Sequence, residues 1–377
     1  MYKSIVYKYF FSEVTKSFLI VLFTFTAIAW TVRAVNFLDL IVENGYSVST
    51  YFYYSFLNIT GILTKFIPLS FLIALIIFIV KQIQENEFII LWTSGVKKLK
   101  IVNLFFIIST FVLLFYLIFS VFLTPLALNK SRLLLSKDGF NSFLPTIRVQ
   151  QFSDSFKGFS FIVEEKYQNE IKNVFIHDSS NTLKNLSSKN KNTESMTIVA
   201  QEGIVEEKKM MLFKGQIISS GEKGTKDEII DFNQLNIDLQ DLQTGTIKVP
   251  KLQETSTIQL INCLAGLPSK QLIKCNSDTK KEIKTMLNRR IILPFYIPVI
   301  SLLCSFLLIK TNTKKNKFIN TYSVFGLSFL ILLYAELIIR FTGISKLIGI
   351  IFLISPLVLI PITYTFLMFK FSKESSN

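Results

Sequence analysis

Few side chains in this sequence are of the types that perform catalysis. His177 is the only histidine among 377 residues, and it stands beside Asp178 at the end of a strand-like run. A histidine metal cluster is therefore excluded and a histidine-dependent triad is disfavoured, so we interpret His177 as structural. The Gly-Glu-Lys-Gly-Thr segment 221–225 lacks the spacing of a phosphate-binding loop. The sequence predicts no cofactor, no metal site and no nucleotide hydrolysis by this chain alone.

The three cysteines indicate no redox site. Cys263 and Cys275 lie in a segment that we predict to be outside the cytoplasm, where disulfides persist. A helical hairpin near Gly266 would have to bring them together, and their pairing stays open at this point. Cys304 lies within an apolar run.

Four charged residues lie within or beside long apolar runs, at Arg33, Lys65, Glu336 and Arg340. A charge near hydrocarbon is costly and usually faces a cavity, a partner or the membrane interface. Arg33, Lys65 and Arg340 are therefore candidate contacts for lipid phosphate. In the alternative interpretation the arginines extend to the interface, and Glu336 and Arg340 form a simple i,i+4 pair.

The apolar runs themselves predict a membrane protein. Half of the residues are hydrophobic and the mean hydropathy is +0.45. A helix needs about 20 apolar residues to cross a hydrocarbon layer about 30 Å thick. Six runs qualify, and the longest is interrupted only by Lys65 and Pro68: 17–32, 51–80, 101–123, 291–309, 318–335 and 347–368. The first sixteen residues are amphipathic and predict an interfacial helix.

The basic residues between these runs predict the orientation, because cytoplasmic connections retain lysine and arginine. With the N-terminus in the cytoplasm, the short outer connections hold only Arg33, Arg340 and Lys346. Thirteen lysines then fall on the cytoplasmic side: Lys3, Lys8, Lys16, Lys81, Lys97, Lys98, Lys100, Lys310, Lys314, Lys315, Lys317, Lys370 and Lys373. Both termini are therefore predicted to be cytoplasmic.

The net charge of +15 does not indicate nucleic acid. Residues 125–284 carry 22 basic and 19 acidic side chains, and the rest of the chain carries 19 and 7. The positive excess thus lies beside the membrane, where it fits topology and anionic headgroups.

Residues 125–284 form a polar insertion between the third and fourth spans. Short runs with β character alternate with turn signals, which predicts an all-β sandwich or jellyroll. The runs are 159–163, 174–177, 196–200, 211–213, 216–218 and 235–239. Residues 255–284 are predicted to be helical and to lead into the fourth span.

An amphipathic segment near residues 82–95 connects the second and third spans. Glu85 and Glu87 suit the start of a helix, and Gly95 suits an end that requires positive φ. Such a helix could dock in the groove of a soluble partner and act as a rigid lever. In the alternative interpretation it is a turn that rests on lipid. Its predicted apolar face comprises Phe88, Ile89, Leu91 and Trp92.

This segment resembles the coupling helix of the lipopolysaccharide-export permeases, the LptF/LptG (YjgP/YjgQ) family. The resemblance covers the whole chain, as three spans, a β-jellyroll domain and three spans. The stretches in the domain and before the fourth span are more similar to LptF than to LptG. The similar stretches outside the coupling segment are 8–17, 68–72, 161–164, 173–175 and 287–290.

The resemblance implies a membrane α-helical fold in the bacterial inner membrane, with six transmembrane helices (3+3) and an inserted periplasmic all-β jellyroll-like domain. The implied domains are 1–124, 125–284 and 285–377. It also implies a heterodimer with a second permease of the family and a dimeric ATP-binding subunit that hydrolyses the ATP. Together they would extract lipopolysaccharide and pass it to a periplasmic bridge protein with a β-jellyroll domain.

The resemblance also implies roles for particular residues. Glu87 and Gly95 match the coupling motif, and Arg33 matches a basic residue that meets lipid A phosphates. Lys65 has no counterpart, and it stays with Arg340 among the hypothetical phosphate contacts. The implied contacts with the ATPase are Glu85, Glu87, Phe88, Leu91 and Gly95.

Three other functions would each require a different sequence feature or biochemical behaviour. Another lipid or lipoprotein exporter usually has its large domain after the first span, whereas here it follows the third. A lipid-modifying membrane enzyme would need clustered acids or histidines at the membrane face. A non-catalytic scaffold would copurify without ATPase activity.

Overall fold

The computed structural model describes residues 2–42, 47–138, 149–156, 158–179, 193–206, 209–221, 228–238, 250–267, 275–309 and 321–375. Two compact units divide the chain. The first comprises Met1–Val32, Leu57–Asn129 and Pro250–Asn377, and the second comprises Arg33–Phe56 and Lys130–Val249.

Six helical segments in the described residues are long and apolar enough to cross a membrane. In hydrocarbon every backbone polar group must be paired within the protein, which is why uninterrupted apolar runs become helices. The predicted number of spans is confirmed. The spans are Ile5–Asn36, Val48–Gln84, Lys98–Leu135, Ser277–Leu308, Thr321–Ile339 and Lys346–Lys373.

The first three spans are built from long helices. Helix α1 is Tyr2–Asn36, so the predicted interfacial segment continues into the first span without a break. After the short α2 (Asp39–Val42), helix α3 is Val48–Gln84 and contains Pro68. Its 37 residues rise about 55 Å, well beyond the hydrocarbon layer, as the single long helix of the prediction requires.

The third span contains an irregular turn. Helix α5 (Lys98–Ile118) passes into a π-helical turn at Phe119–Leu123 and then into α6 (Thr124–Asp138). Between α3 and α5 lies α4 (Glu87–Thr93). The hydroxyl groups of Thr64 and Thr124 are 2.9 Å apart, and they join α3 to α6.

The segment before the fourth span, predicted to be helical over 255–284, contains two helices. They are α7 (Thr257–Ala265) and α8 (Ser277–Ile291). Gly266 ends α7 with φ of 71°, a left-handed conformation that stops a helix. Residues 268–274 lie outside the described part of the chain.

The fourth span continues from α8 through irregular turns. A 3₁₀ turn at Leu293–Phe295 precedes α9 (Tyr296–Cys304), and a second one at Ser305–Leu308 follows it. Pro294 is the second residue of the first of these turns, and proline lacks the N–H that a continuing helix would use. Helices α10 (Thr321–Ile339) and α11 (Lys346–Ser375) form the last two spans. Of the predicted fifth span, residues 318–320 lie outside the described residues.

The first unit contains one large cluster of buried apolar side chains and a small separate one between α7 and α8. Members of the large cluster come from α1, α3, α4, α5, α9, α10 and α11, and include Phe10, Phe71, Leu75, Phe88, Phe105, Tyr296, Ala335 and Phe352.

The second unit contains an antiparallel six-stranded sheet in which each strand pairs with the next along the chain. Alternate residues of β2 are buried, so one face of the sheet carries the apolar cluster. The predicted fold class, a six-helix membrane protein with an inserted β domain, is confirmed. The strands are β1 (Ser153–Phe156), β2 (Phe159–Tyr167), β3 (Glu170–Asp178), β4 (Thr193–Glu206), β5 (Lys209–Gly221) and β6 (Glu228–Asp238).

Candidate coupling site and basic membrane residues

The predicted lever near residues 82–95 is the short helix α4 with a turn at each end. Glu85 does not begin this helix: it lies in the turn after α3, and Asn86 with φ of 59° separates the two helices. The left-handed residue breaks the hydrogen-bond ladder, so α4 begins at Glu87, an acidic residue at a helix N-terminus as predicted.

The other end of α4 follows the sequence prediction. Gly95 has φ of 83°, and its N–H donates to the Trp92 carbonyl. The Val96 N–H donates to the Leu91 carbonyl, which completes a Schellman motif. Leu91 and Val96 both pack against the main apolar cluster. The end of α4 is therefore fixed by hydrogen bonds and by packing.

An aromatic group fixes the inner face of α4. Phe88 is only 1% exposed, and its ring stacks on Trp92 with centroids 5.9 Å apart. It also meets Phe10 of α1 edge-on at 5.9 Å, and Phe10 meets Phe78 of α3 at 5.1 Å. Edge-on and stacked aromatic pairs are favourable at these separations. Helix α4 is thus held against α1, and Phe10 of α1 links it to α3.

Lys98 connects α4 to the last span. Its ammonium nitrogen lies 4.5 Å from the centre of the Trp92 ring and 5.6 Å from that of Phe371 in α11. A cation over an aromatic face is attracted by the ring quadrupole. A displacement of α4 would therefore act on α11 as well as on α1 and α3.

The outward face of α4 is apolar and exposed. Ile89 and Ile90 are 52% and 64% exposed. The sequence predicted one apolar face of Phe88, Ile89, Leu91 and Trp92 that would meet a partner, but in the structure Phe88, Leu91 and Trp92 pack inside the chain and Ile89 does not lie with them. Successive helical residues are turned by about 100°, so the packed face takes Phe88, Leu91 and Trp92 at spacings of three and four and leaves Ile89 outside.

The three basic candidates for lipid phosphate lie on separate elements. Arg33 is exposed in the last turn of α1, and Lys65 is exposed midway along α3. Arg340 is exposed in the turn that follows α10. Arg33 belongs to the second compact unit, whereas the other two belong to the first. Their role as phosphate contacts stays a prediction.

Glu336 has a different partner from the one that the sequence suggested. Its carboxylate lies 2.6 Å from a guanidinium nitrogen of Arg289 in α8, so it does not form the expected i,i+4 pair with Arg340. The side chain of Arg289 is 31% exposed and that of Glu336 is 50% exposed. The ion pair joins the start of the fourth span to the fifth.

The role of Arg290, whose side chain is buried and only 4% exposed, was not predicted from the sequence. Its guanidinium donates to the carbonyl oxygens of Leu252, Gln253 and Thr255 and to the Thr257 hydroxyl, over 2.9 to 3.2 Å. It therefore supplies hydrogen-bond donors to the backbone carbonyl groups of the turn before α7. The adjacent arginines 289 and 290 were noted only as part of a family motif, and nothing local indicates which one is buried.

The pairing of Cys263 and Cys275 is settled by the structure. The two cysteines form a disulfide with Cα atoms 6.0 Å apart, which links α7 to the start of α8. Cys304 is free and buried.

His177 is placed within the sheet. Its Nδ1 lies 3.0 Å from the Thr197 hydroxyl on the neighbouring strand β4. Among the described residues, no group of three or more His, Cys, Asp or Glu is placed to hold a metal ion.

These features define a polytopic membrane protein, with a sheet domain inserted between two sets of three spans and a short packed helix between the second and third. The sequence profile of the lipopolysaccharide export system permease LptF/LptG matches residues 8–370. The chain belongs to this family of transport permeases, and the match does not distinguish LptF from LptG. A comparison with curated protein sequences gives no significant match.

Proposed function

We propose that this chain is a permease subunit of an ATP-driven exporter that extracts lipopolysaccharide from the bacterial inner membrane. The observation that carries the proposal, together with the family, is the geometry of α4. Its inner face is fixed to α1 through Phe10, which also contacts α3, and to α11 through Lys98, while Ile89 and Ile90 are exposed on its outer face. An exposed apolar pair on a rigid helix suits docking into the groove of a soluble subunit.

In the proposed mechanism this chain performs no bond chemistry. A dimeric ATP-binding subunit hydrolyses ATP and, as it closes, moves α4 with its flanking residues Glu85 and Gly95. Because Phe88 packs against α1, the displacement reaches the first span and changes a lipid-holding cavity. Leu91 supports this transfer through its packing on the main apolar cluster.

The lipid is proposed to be recognised through its phosphates by Arg33, Lys65 and Arg340. Arginine suits this contact because its planar guanidinium can donate two parallel hydrogen bonds to a phosphate. We further propose a heterodimer with a second permease of the family, both termini in the cytoplasm and the sheet domain in the periplasm. An edge strand of the sheet, β1 or β6, would accept the β-jellyroll domain of a periplasmic bridge protein by strand addition.

The test replaces one exposed side chain of α4. Ile90→Asp puts a charge on the outer face without touching the packed face, and Ile90→Val is the matched control. The tagged protein is purified in detergent, its partners are identified by mass spectrometry, and ATPase activity is measured. The parent and Ile90→Val should retain a second permease and an active ATP-binding subunit, whereas Ile90→Asp should lose the latter.

Three results would contradict the proposal. Recovery of the parent alone, without ATPase activity, would indicate a scaffold. An assembled complex that releases lipoprotein or another lipid, and not lipopolysaccharide, would indicate a different exporter. Unchanged ATPase coupling in Ile90→Asp would show that α4 is not the docking element.

A further inference from the structure

Helix α7 has two apolar faces, and only one is covered by the protein. Its inner face packs Leu260 and Cys263 against α8. On the opposite side Ile258 and Ile261 are 67% and 47% exposed, and Ala265 continues the same stripe at helical spacing. Exposed apolar side chains in such a row indicate a surface that meets something other than water.

Several bonds fix α7 in position. Ser256 and Gln259 form a reciprocal capping box at its start, and the disulfide of Cys263 ties it to α8. Arg290 holds the turn before it through the hydrogen bonds described above, one of them to the Thr257 hydroxyl. The orientation of the exposed stripe is therefore set by the fold.

The level of α7 along the third span is also defined. The Thr257 hydroxyl donates to the Val121 carbonyl oxygen at 3.0 Å, within the π-helical turn of that span. The uncharged part of the span begins at Ile101, after Lys98 and Lys100. The rise from Ile101 to Val121 is about 30 Å, which equals the thickness of the hydrocarbon layer. The N-terminus of α7 thus lies at the bilayer boundary remote from Lys98.

The third span presents apolar side chains at the same level. Phe122 and Leu126 are 59% and 63% exposed within about one turn of Val121. Such side chains on a membrane-spanning helix are placed to contact lipid, so apolar groups suited to lipid occur at the same level as the N-terminus of α7.

We propose that α7 is an interfacial helix that inserts Ile258 and Ile261 among the lipids at this boundary of the bilayer. A nine-residue helix is about 13 Å long, and its two exposed isoleucines present far less than the roughly 800 Å² per partner of a stable protein interface. Lipid therefore suits this stripe better than a second copy of the chain. The inference rests on the six-span architecture and is independent of what the protein transports.

The test uses tryptophan as a depth probe. The two native tryptophans are replaced by Trp30→Phe and Trp92→Phe, and single probes are introduced as Ile258→Trp or Ile261→Trp. Ser277→Trp is the control outside the hydrocarbon, because Ser277 is exposed at the start of α8 and lies 14 residues before the uncharged run 291–309 of the fourth span. The full chain, with the subunits that copurify with it, is placed in phospholipid nanodiscs. Fluorescence quenching is measured with brominated acyl chains and with aqueous iodide.

Quenching by brominated lipid should be several-fold stronger at positions 258 and 261 than at 277, and quenching by iodide should follow the opposite order. Iodide quenching at 258 and 261 equal to that at 277 would place the stripe in water and overturn the proposal. Protection from both quenchers would indicate a protein interface, with a second copy or a partner subunit, and would overturn it equally.

Discussion

The buried Arg290 of α8 donates hydrogen bonds to four groups in the turn before α7 and at its start. A buried guanidinium with four acceptors is stabilised only while all of those groups remain in place. Three of its acceptors are backbone carbonyls that precede α7, so this side chain substitutes for regular secondary structure there.

We expect Arg290→Ala to lower the free energy of unfolding by about 3 kcal/mol, because it leaves buried carbonyls unpaired. Arg290→Lys should recover only part of the loss, since one ammonium group cannot reach the same spread of acceptors. Thermal unfolding of the detergent-solubilised protein measures both. The control is Arg340→Ala at an exposed turn, which should change stability by less than about 0.5 kcal/mol. Equal losses for Arg290→Ala and Arg340→Ala would contradict this account.

The ion pair of Arg289 and Glu336 gives a second prediction at this scale. Both side chains are partly exposed, so solvent or headgroups weaken the interaction. A double-mutant cycle with Arg289→Gln and Glu336→Gln should give a coupling of about 0.5 to 1 kcal/mol in unfolding free energy. The same cycle with Arg340→Gln in place of Arg289→Gln should be additive. Coupling to Arg340 and not to Arg289 would restore the i,i+4 pair that the sequence suggested.

Sequence patterns identified charges in unusual surroundings but not their partners. Glu336 was recognised as a charge within an apolar run, yet its partner is 47 residues away. The acceptors of Arg290 are 33 to 38 residues away. Local spacing predicts i,i+4 pairs because a helix brings such residues together, whereas contacts between helices depend on packing that one sequence does not reveal.

At the scale of elements, the end of α4 depends on one glycine. A Cβ at Gly95 would meet no atom within 4 Å, so any cost of substitution comes from the backbone. Gly95→Ala should destabilise the protein by about 1 kcal/mol, because alanine is disfavoured at positive φ, and Gly95→Asn should cost less. Gly326→Ala in α10 is the control, since that position is equally open but regular helix. Melting temperatures measure the differences, and a loss in Gly326→Ala equal to that in Gly95→Ala would disprove the assignment to backbone strain.

The hairpin of α7 and α8 depends on its disulfide. The cysteines are 12 residues apart in sequence, and closing a loop of this size stabilises a fold by about 3 kcal/mol in the chain-entropy account. The double variant Cys263→Ser with Cys275→Ser should melt at a lower temperature than the parent. Reducing agent should lower the melting temperature of the parent and leave the double variant unchanged. A shift in both proteins would assign the effect of the reductant to another group.

Elements were predicted best where the signal is local. The end of α4 was predicted from Ser94-Gly95, because the positive φ that ends the helix is required at one residue only. The predicted runs 211–213 and 216–218 are two parts of one strand, β5, and β1 was not predicted. A break near Gly266 was recognised only as the hairpin that a Cys263–Cys275 pairing would need, and the structure has it at Gly266 with φ of 71°.

At the scale of the molecule, the distribution of lysine predicts which end of each span is cytoplasmic. Single cysteines are introduced at two exposed positions, as Thr93→Cys in α4 and Asp278→Cys in α8. An impermeant maleimide should label position 278 in intact spheroplasts, and position 93 only after the membrane is permeabilised. The reverse pattern would place the polar domain in the cytoplasm and exclude a periplasmic bridge as its partner.

The plan of three spans, an inserted domain and three spans was the most predictable feature. Each segment's composition matches the lipid or water around it. The long apolar runs and the polar segment 125–284 can therefore be recognised without knowledge of contacts between segments. The irregular stretches, such as the turn at Leu293–Phe295, depend on packing within the bundle and were not predicted. The domain boundaries at 124 and 284 stay a prediction.

The π-helical turn at Phe119–Leu123 rotates the part of the third span that follows it about the helix axis. One residue more than an α-helix needs turns the following segment by about 100° about its axis, with little change in length. Deleting one residue there would rotate α6 rather than shorten a loop. In an alignment with relatives, a one-residue gap at 119–123 should therefore be interpreted as a change in which side of the helix faces lipid.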